Sequence, residues 1–371
     1  MSRYQLLING ELVPGDTTME VINPANEEVL ALCPRASETQ LNAAIAAAKA
    51  AFPAWSARSL DERKQIVNAI ADVIEANAAE LAQLLTQEQG KPLADATGEL
   101  YGTAAFFRYF TSLSLPVEVL EETESRRIEA HRRPLGVVGA IVPWNFPMIL
   151  MAFKIPPALL AGNTVVLKPA PTTPLANLRL GELIRDIVPP GVLNIVTDAN
   201  DLGAALTAHP DVRKVSFTGS TATGSKVMAG AAGLLKRITL ELGGNDAGIV
   251  LDDVDPAETA PKLFQSAFQN SGQVCIAMKR LYVHESIYDE MCEALAAIAE
   301  RTIVGDGLQQ GTQLGPLQNR MQYERVQALL EDARQHGRVI AGGTGLDQPG
   351  FFIRPTIVRD ISDGTRLVDE E

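Results

Sequence analysis

The sequence predicts a doubly wound α/β fold followed by a second α/β domain. At 371 residues the chain is long for one domain, so two are expected. From residue 134 to 242, apolar β-type runs alternate with helical segments, the pattern of βαβ units and a parallel sheet. After Gly244 the alternation resumes, which sets the start of the second domain near Gly243. In such sheets ligands bind beyond the carboxyl ends of the strands.

Leu6-Leu7-Ile8 and Glu11-Leu12-Val13 flank Asn9-Gly10, and both turn residues tolerate positive φ, so a hairpin opens the chain. Ser37-Glu38-Thr39-Gln40 and Ser59-Leu60-Asp61-Glu62 are capping boxes that each start a helix. In the second of these, Ile66, Ile70, Val73 and Ile74 recur at helical spacing. Gly90 and Pro92 end the next helical run. Residues 93–112 form another helix, whose Phe106, Phe107, Tyr109 and Phe110 read as core. Residues 121–133 are densely charged and read as a solvated edge hairpin; an arm pairing with another subunit is the second reading. Beyond them, strands at 137–142, 163–167, 192–196, 215–217 and 237–242 alternate with helices at 148–160, 174–187, 201–208 and 221–234. In the second domain, strands at 247–251 and 280–284 and the run 339–343 accompany helices at 256–270, 286–300 and 318–336.

The totals exclude several classes of partner. A net charge of −13 argues against nucleic acid or an anionic membrane surface. Residues 134–153 carry no charge, but three prolines, two glycines and Asn145 rule out one continuous spanning helix. Cys33, Cys275 and Cys292 are an odd, scattered set, which argues against a disulfide framework or a zinc site and for a reducing compartment, the cytoplasm. The start, Met1-Ser2-Arg3-Tyr4-Gln5, opens no signal peptide.

Three stretches carry chemistry. In Asn270-Ser271-Gly272-Gln273-Val274-Cys275 a thiol sits among small, uncharged residues, with no cation until Lys279. A lone cysteine is more often a structural one than a nucleophile. Glu241 stands between Leu240 and Leu242, ahead of Gly243-Gly244-Asn245; a carboxylate buried there is costly unless it has a task. Asn145 lies between Trp144 and Phe146 with prolines on both sides, which fix the backbone around an amide donor. A fourth stretch, from Phe217 through Thr218, Gly219, Ser220 and Thr221 to Gly224, reads as strand, tight turn and helix start, suited to a pyrophosphate. Lys168 ends a strand and reads either as a ribose or phosphate ligand or as a surface lysine.

Residues 143–147, 217–221, 241–245 and 270–275 occur in the order, and at roughly the spacings, of the aldehyde dehydrogenase superfamily, which the chain resembles over essentially its whole length. The resemblance implies NAD(P)-dependent oxidation of an aldehyde to a carboxylic acid, with NAD as cofactor and NADP also admitted. It implies a Rossmann-like cofactor domain (residues 1–116 and 134–242), an oligomerisation hairpin (117–133) and an incomplete catalytic domain (243–371). On it, Cys275 is the nucleophile, Glu241 the base that activates water, Asn145 an oxyanion donor and Lys154 a catalytic-site lysine. Trp144, Lys168, Gly219, Ser220, Leu242, Gly243 and Glu371 are implied as cofactor-binding residues. No metal is implied, and the expected assembly is a homo-oligomer.

Three departures stand out. Pro171 occupies a position where many NAD-preferring relatives carry glutamate. Asp198 and Ala199 stand where relatives usually carry glycine. The glutamate that grips the nicotinamide ribose falls at Glu371, the last residue, while family chains run on. The expectation is therefore a truncated domain with uncovered apolar faces and poor solubility. The alternative function is an inactive fragment that retains nucleotide binding only. A cofactor-free thiol hydrolase using Cys275 and Glu241 is a third class, and a CoA-acylating enzyme is disfavoured by Glu241.

Overall fold

The computed structural model describes residues 4–371. In chain order the elements are β1 (Leu6–Ile8), β2 (Glu11–Val13), β3 (Thr17–Ile22), β4 (Val29–Arg35), α1 (Glu38–Ser56), α2 (Leu60–Ala76), α3 (Ala78–Gln89), α4 (Leu93–Ser112), β5 (Glu118–Glu122), β6 (Arg127–Ala130), β7 (Val137–Ile141), α5 (Pro147–Ala152), α6 (Ile155–Leu160), β8 (Thr164–Lys168), α7 (Leu175–Ile184), β9 (Leu193–Ile195), α8 (Gly203–Ala208), β10 (Val212–Thr218), α9 (Thr221–Ala232) and β11 (Arg237–Glu241). They continue with β12 (Asp246–Val250), α10 (Pro256–Phe268), β13 (Met278–Val283), α11 (Tyr288–Arg301), α12 (Arg320–His336), β14 (Arg338–Ala341), β15 (Ile357–Arg359) and α13 (Arg366–Asp369).

The chain divides into two compact units. The first comprises the residues up to Glu20 with Leu32–Leu81 and Thr97–Glu241. Its sheet has the order β11-β10-β7-β8-β9-β1-β2, with β11 to β9 parallel and β1 antiparallel to β9 and β2. Numbered by their own succession, the parallel strands run 3-2-1-4-5, the doubly wound order whose switch point lies between β7 and β10. All five residues of β7 and of β8 are buried, as strands covered on both faces must be. On one face Thr164 donates to the Ala48 carbonyl of α1 at 2.9 Å. Leu167, Leu193 and Ile195 pack on the other, against Ile70 of α2 and Leu180 and Ile184 of α7. The opening hairpin turns through Asn9 (φ 54°) and Gly10 (φ 79°), and both capping boxes form at Ser37 and Ser59. β5 and β6 make an exposed ribbon held by Arg126–Glu121 and Arg132–Glu118 ion pairs.

One predicted helix is two. Residues 148–160 break at Phe153 and Lys154, between α5 and α6. Pro156 and Pro157 lack the N–H groups that would continue α5, and both fit the first turn of a new helix.

The second unit comprises Val21–Ala31, Ala82–Ala96 and Leu242–Glu371. β12 and β13 pair in parallel, and β14 and β15 pair antiparallel. Val250, Ala260, Phe264, Met291, Leu295, Ala299 and Ala341 form its core, under α10 and α11. Ile249 and Leu251 are exposed, and a cavity of about 420 Å³ is lined by Leu263, Leu281, Val283, Leu330 and Ile357 among others. The predicted helix 256–270 stops at Phe268, because Asn270, Ser271 and Gly272 turn left-handed. Among the described residues, no helix is long and apolar enough to cross a membrane.

Candidate active site

In the first unit, the switch point gathers two turns that the sequence singled out. After β7 the chain runs through Pro143, Trp144, Asn145 and Phe146 into Pro147, the first residue of α5. Asn145 Oδ1 accepts from the Phe146 N–H at 3.1 Å, which leaves the NH₂ as the donor end of the amide. The first turn of α5 is tied down by Glu99, 5% exposed, whose Oε1 accepts from Met148 N–H at 2.9 Å and Ile149 N–H at 3.1 Å. A buried carboxylate accepting orphan amides at a helix start is favourable in charge as well as in hydrogen bonding.

After β10 comes Gly219, whose N–H donates to the Glu241 carbonyl at 3.0 Å. A Cβ on Gly219 would lie 2.6 Å from the Phe217 ring, so any larger residue must displace that ring. Ser220 caps α9 by accepting from Thr223 N–H at 3.3 Å, and Ser220 to Thr223 are exposed. An exposed helix start behind a glycine turn is an anion cradle.

Lys168, at the end of β8, is neither a surface residue nor solvated. Its side chain is 5% exposed and its Nζ lies 2.5 Å from Asp198 Oδ1, itself 1% exposed. The other Asp198 oxygen accepts from Leu202 N–H at 2.8 Å. The aspartate that stands in place of a glycine is thus the lysine's partner.

Lys154 owes its position to the break between α5 and α6. It is 4% exposed, and its Nζ donates to Thr218 Oγ1 at 2.7 Å and Ser216 Oγ at 3.5 Å on β10. Burial pushes its ammonium down to about 8, against the raising field of Glu241. Glu241 pairs with Thr218 at the end of β11 and is exposed, so its flanking leucines do not bury it as expected.

In the second unit, Cys275 follows the left-handed turn Asn270-Ser271-Gly272 and is half-buried, while Cys33 and Cys292 are buried. Of the three thiols it is the most exposed. Gly244 abuts it: a Cβ there would lie 2.6 Å from the Cys275 carbonyl oxygen. A Cβ on Gly243 would lie 1.7 Å from Glu371 Oε2, so the carboxylate fills the space a side chain would need. Burial raises the Glu371 carboxyl, opposed by Arg325 and Lys279. Leu242 is half-buried at the start of this unit. Among the described residues, no group of three or more His, Cys, Asp or Glu side chains is placed to hold a metal.

A family model described as the aldehyde dehydrogenase family matches residues 12–371. The chain belongs to this family. It is 45% identical over 364 residues to a Pseudomonas protein named a probable aldehyde dehydrogenase, covering 98% of this chain and 74% of that one. It is 40% identical over 377 residues to the NADP(+) succinate-semialdehyde dehydrogenase of Escherichia coli K12, covering 100% and 78%. The NAD⁺ complex of an aldehyde dehydrogenase from Bacillus cereus superposes with a TM-score of 0.96 at 36% identity, covering 99% and 77%.

In this aldehyde dehydrogenase family member the fold shows features that sequence reading missed. Glu99 lies in a helix nearly fifty residues from the loop it ties, with no local motif to announce it. Gln89 and Gln318 are buried polar residues in plain sequence contexts. For Asp198 a signal existed, its departure from glycine, but its partner was visible only in the fold.

Proposed function

We propose that this chain oxidises an aldehyde to a carboxylic acid through Cys275, with NAD as cofactor and NADP also admitted. The observation that carries the assignment is Cys275 itself, the most exposed of the three thiols, just after a left-handed turn and against Gly244. Backbone held in a disfavoured region is found where function requires it.

Cys275 adds to the aldehyde carbon as a thiolate, giving a thiohemiacetal. The Asn145 NH₂ and the Cys275 N–H stabilise the oxyanion. A dinucleotide bound there would supply the acceptor for the hydride lost as the thiohemiacetal becomes a thioester. Glu241, exposed and three residues ahead of Gly244, takes the proton from the water that hydrolyses it. Lys154 holds positive charge near this chemistry below about pH 8. The residues fit a dinucleotide: the Gly219–Ser220 turn suits its pyrophosphate, at the switch point of a 3-2-1-4-5 sheet. Trp144, Lys168, Leu242, Gly243 and Glu371 complete the proposed cofactor set.

We take residues 1–116 with 134–242 as the cofactor domain, apart from Val21–Ala31 and Ala82–Ala96, which belong to the second unit, with 117–133 as the oligomerisation arm and 243–371 as the catalytic domain. The exposed β5–β6 ribbon supports a homo-oligomer, and the scattered thiols support a cytoplasmic location. A family match that runs through both units does not favour the nucleotide-binding fragment.

The test is NADH formation by the purified chain with a panel of aldehydes, semialdehydes included. The expected result is turnover that Cys275→Ser abolishes. NAD binding without turnover on any aldehyde overturns the reading, as does a Cys275→Ser variant that still forms NADH.

A further inference from the structure

The segment before Cys275 runs against its intrinsic preference. Asn270, Ser271 and Gly272 are left-handed in succession, with φ of 51°, 57° and 78°. Residues with a Cβ resist this region, and a run of them persists only where the surroundings over-determine it.

Here the surroundings are side-chain amides. Gln89, fully buried, donates from Nε2 to Asn270 Oδ1 at 3.1 Å and accepts the Lys91 N–H at 2.9 Å. Gln273 donates to the Asn270 carbonyl at 2.9 Å and accepts the Gln318 N–H at 2.9 Å. Gln318, 2% exposed, donates back to the Glu88 carbonyl at 3.1 Å. The links close into a ring, from Gln89 to Asn270, Gln273, Gln318 and Glu88, which is the neighbour of Gln89. The Ser271 hydroxyl adds a tie to the Gly315 carbonyl at 2.8 Å. Every member of the ring belongs to the second unit.

We propose that Gln89 is a positioning residue for the Cys275 thiol: through this ring it holds the turn left-handed, and the turn sets where the sulfur points. A buried amide network specifies one geometry when its members are satisfied, and loses that geometry when one is removed. Gln89 is an apt anchor because its two ends are used differently. One is fixed by the backbone of its own segment, the other reaches the turn. An apolar side chain of similar size would fill the space and release the turn. The inference rests on Cys275 being the nucleophile, and the measurements below keep the two apart.

The experiment compares wild type with Gln89→Met, in the full chain. Iodoacetamide alkylation of Cys275 is followed by peptide mass mapping from pH 6 to 10, alongside kcat, KM, NAD binding and melting temperature. In Gln89→Met the Cys275 alkylation rate falls across the pH range, and kcat falls about tenfold or more, as a sub-ångström to ångström misplacement demands. KM and NAD affinity stay within about threefold. A folded Gln89→Met with alkylation and kcat near wild type overturns the proposal, even where the melting temperature drops. Should Gln89→Met not fold, Gln273→Met, at a half-buried position, breaks two links of the same ring and is held to the same outcomes. Activity surviving in Cys275→Ser would refute the nucleophile assignment instead, and the alkylation rates would still judge the ring.

Discussion

Removing one partner of the Lys168–Asp198 pair tests the reasoning most directly. The two charges are 2.5 Å apart and essentially out of solvent. At an effective dielectric constant near 20 their attraction is about 7 kcal/mol. Desolvation costs several kcal/mol for each ion, so the pair as a whole contributes little net stability. The asymmetry appears when it is broken. Asp198→Asn keeps the shape and an oxygen for the Leu202 N–H, but leaves the Lys168 ammonium buried and uncompensated. The expected loss is about 3–5 kcal/mol. Replacing both, as Lys168→Met with Asp198→Asn, removes the buried charge and recovers most of that loss. Urea unfolding followed by tryptophan fluorescence is a suitable assay, because Trp55 and Trp144 lie in the same unit as the pair. The shift should appear in the midpoint with the slope unchanged. A loss below about 1 kcal/mol for the single variant, or a double variant as unstable as the sum of the singles, would show that water or relaxation solvates this lysine.

Four further outcomes follow from the same geometry. With its ammonium neutralised by Asp198, Lys168 offers no spare charge to a 2′-phosphate, so Asp198→Asn raises the affinity for NADP relative to NAD; calorimetric titration that finds the ratio unmoved counts against Lys168 touching the ribose. Lys154 has its ammonium lowered from 10.5 to about 8 by burial, so the unfolded chain binds the proton more tightly and stability rises with pH between those values; at about 1.4 kcal/mol per tenfold this is roughly 3 kcal/mol. Lys154→Met should accordingly lose ground to wild type as pH climbs from 8 to 10.5, and a pH-independent difference in urea midpoints would contradict the burial argument. Glu241→Gln slows thioester hydrolysis more than hydride transfer, leaving a rapid single-turnover burst and a depressed steady state; a burst and steady state both like wild type would remove Glu241 from the role. Gly244→Ala drives a methyl into the Cys275 carbonyl, 2.6 Å away, and lowers both Cys275 alkylation and kcat; a variant with normal rates would mean the loop gives way freely.

Local signals written in a few adjacent residues were enough for much of this fold. The Asn9-Gly10 turn, the two capping boxes and the alternation of strands and helices were all legible, because each depends on side chains within one turn or one pleat. The site stretches were legible for a related reason: glycines at Gly219 and Gly243 mark backbone that other groups approach closely, and prolines flank Asn145. Pairing across distance was not. Lys168 read equally well as a surface lysine until Asp198, thirty residues on, proved to sit beneath it. Glu241 looked like a carboxylate forced into an apolar core, yet the end of β11 leaves it in solvent. The prolines that split α5 from α6 were visible, but not that the break would carry Lys154 onto β10.

What the amino-acid order alone determined, then, was the list of elements, the doubly wound pattern and the identity of the unusual turns, since propensity and periodicity act over a few residues. Only the tertiary structure decided which buried charge meets which, how far the lysine ammonium is depressed, and that a ring of amides holds the turn before Cys275. Those outcomes depend on desolvation and on hydrogen bonds between segments far apart in the chain, and neither quantity exists until the segments have packed.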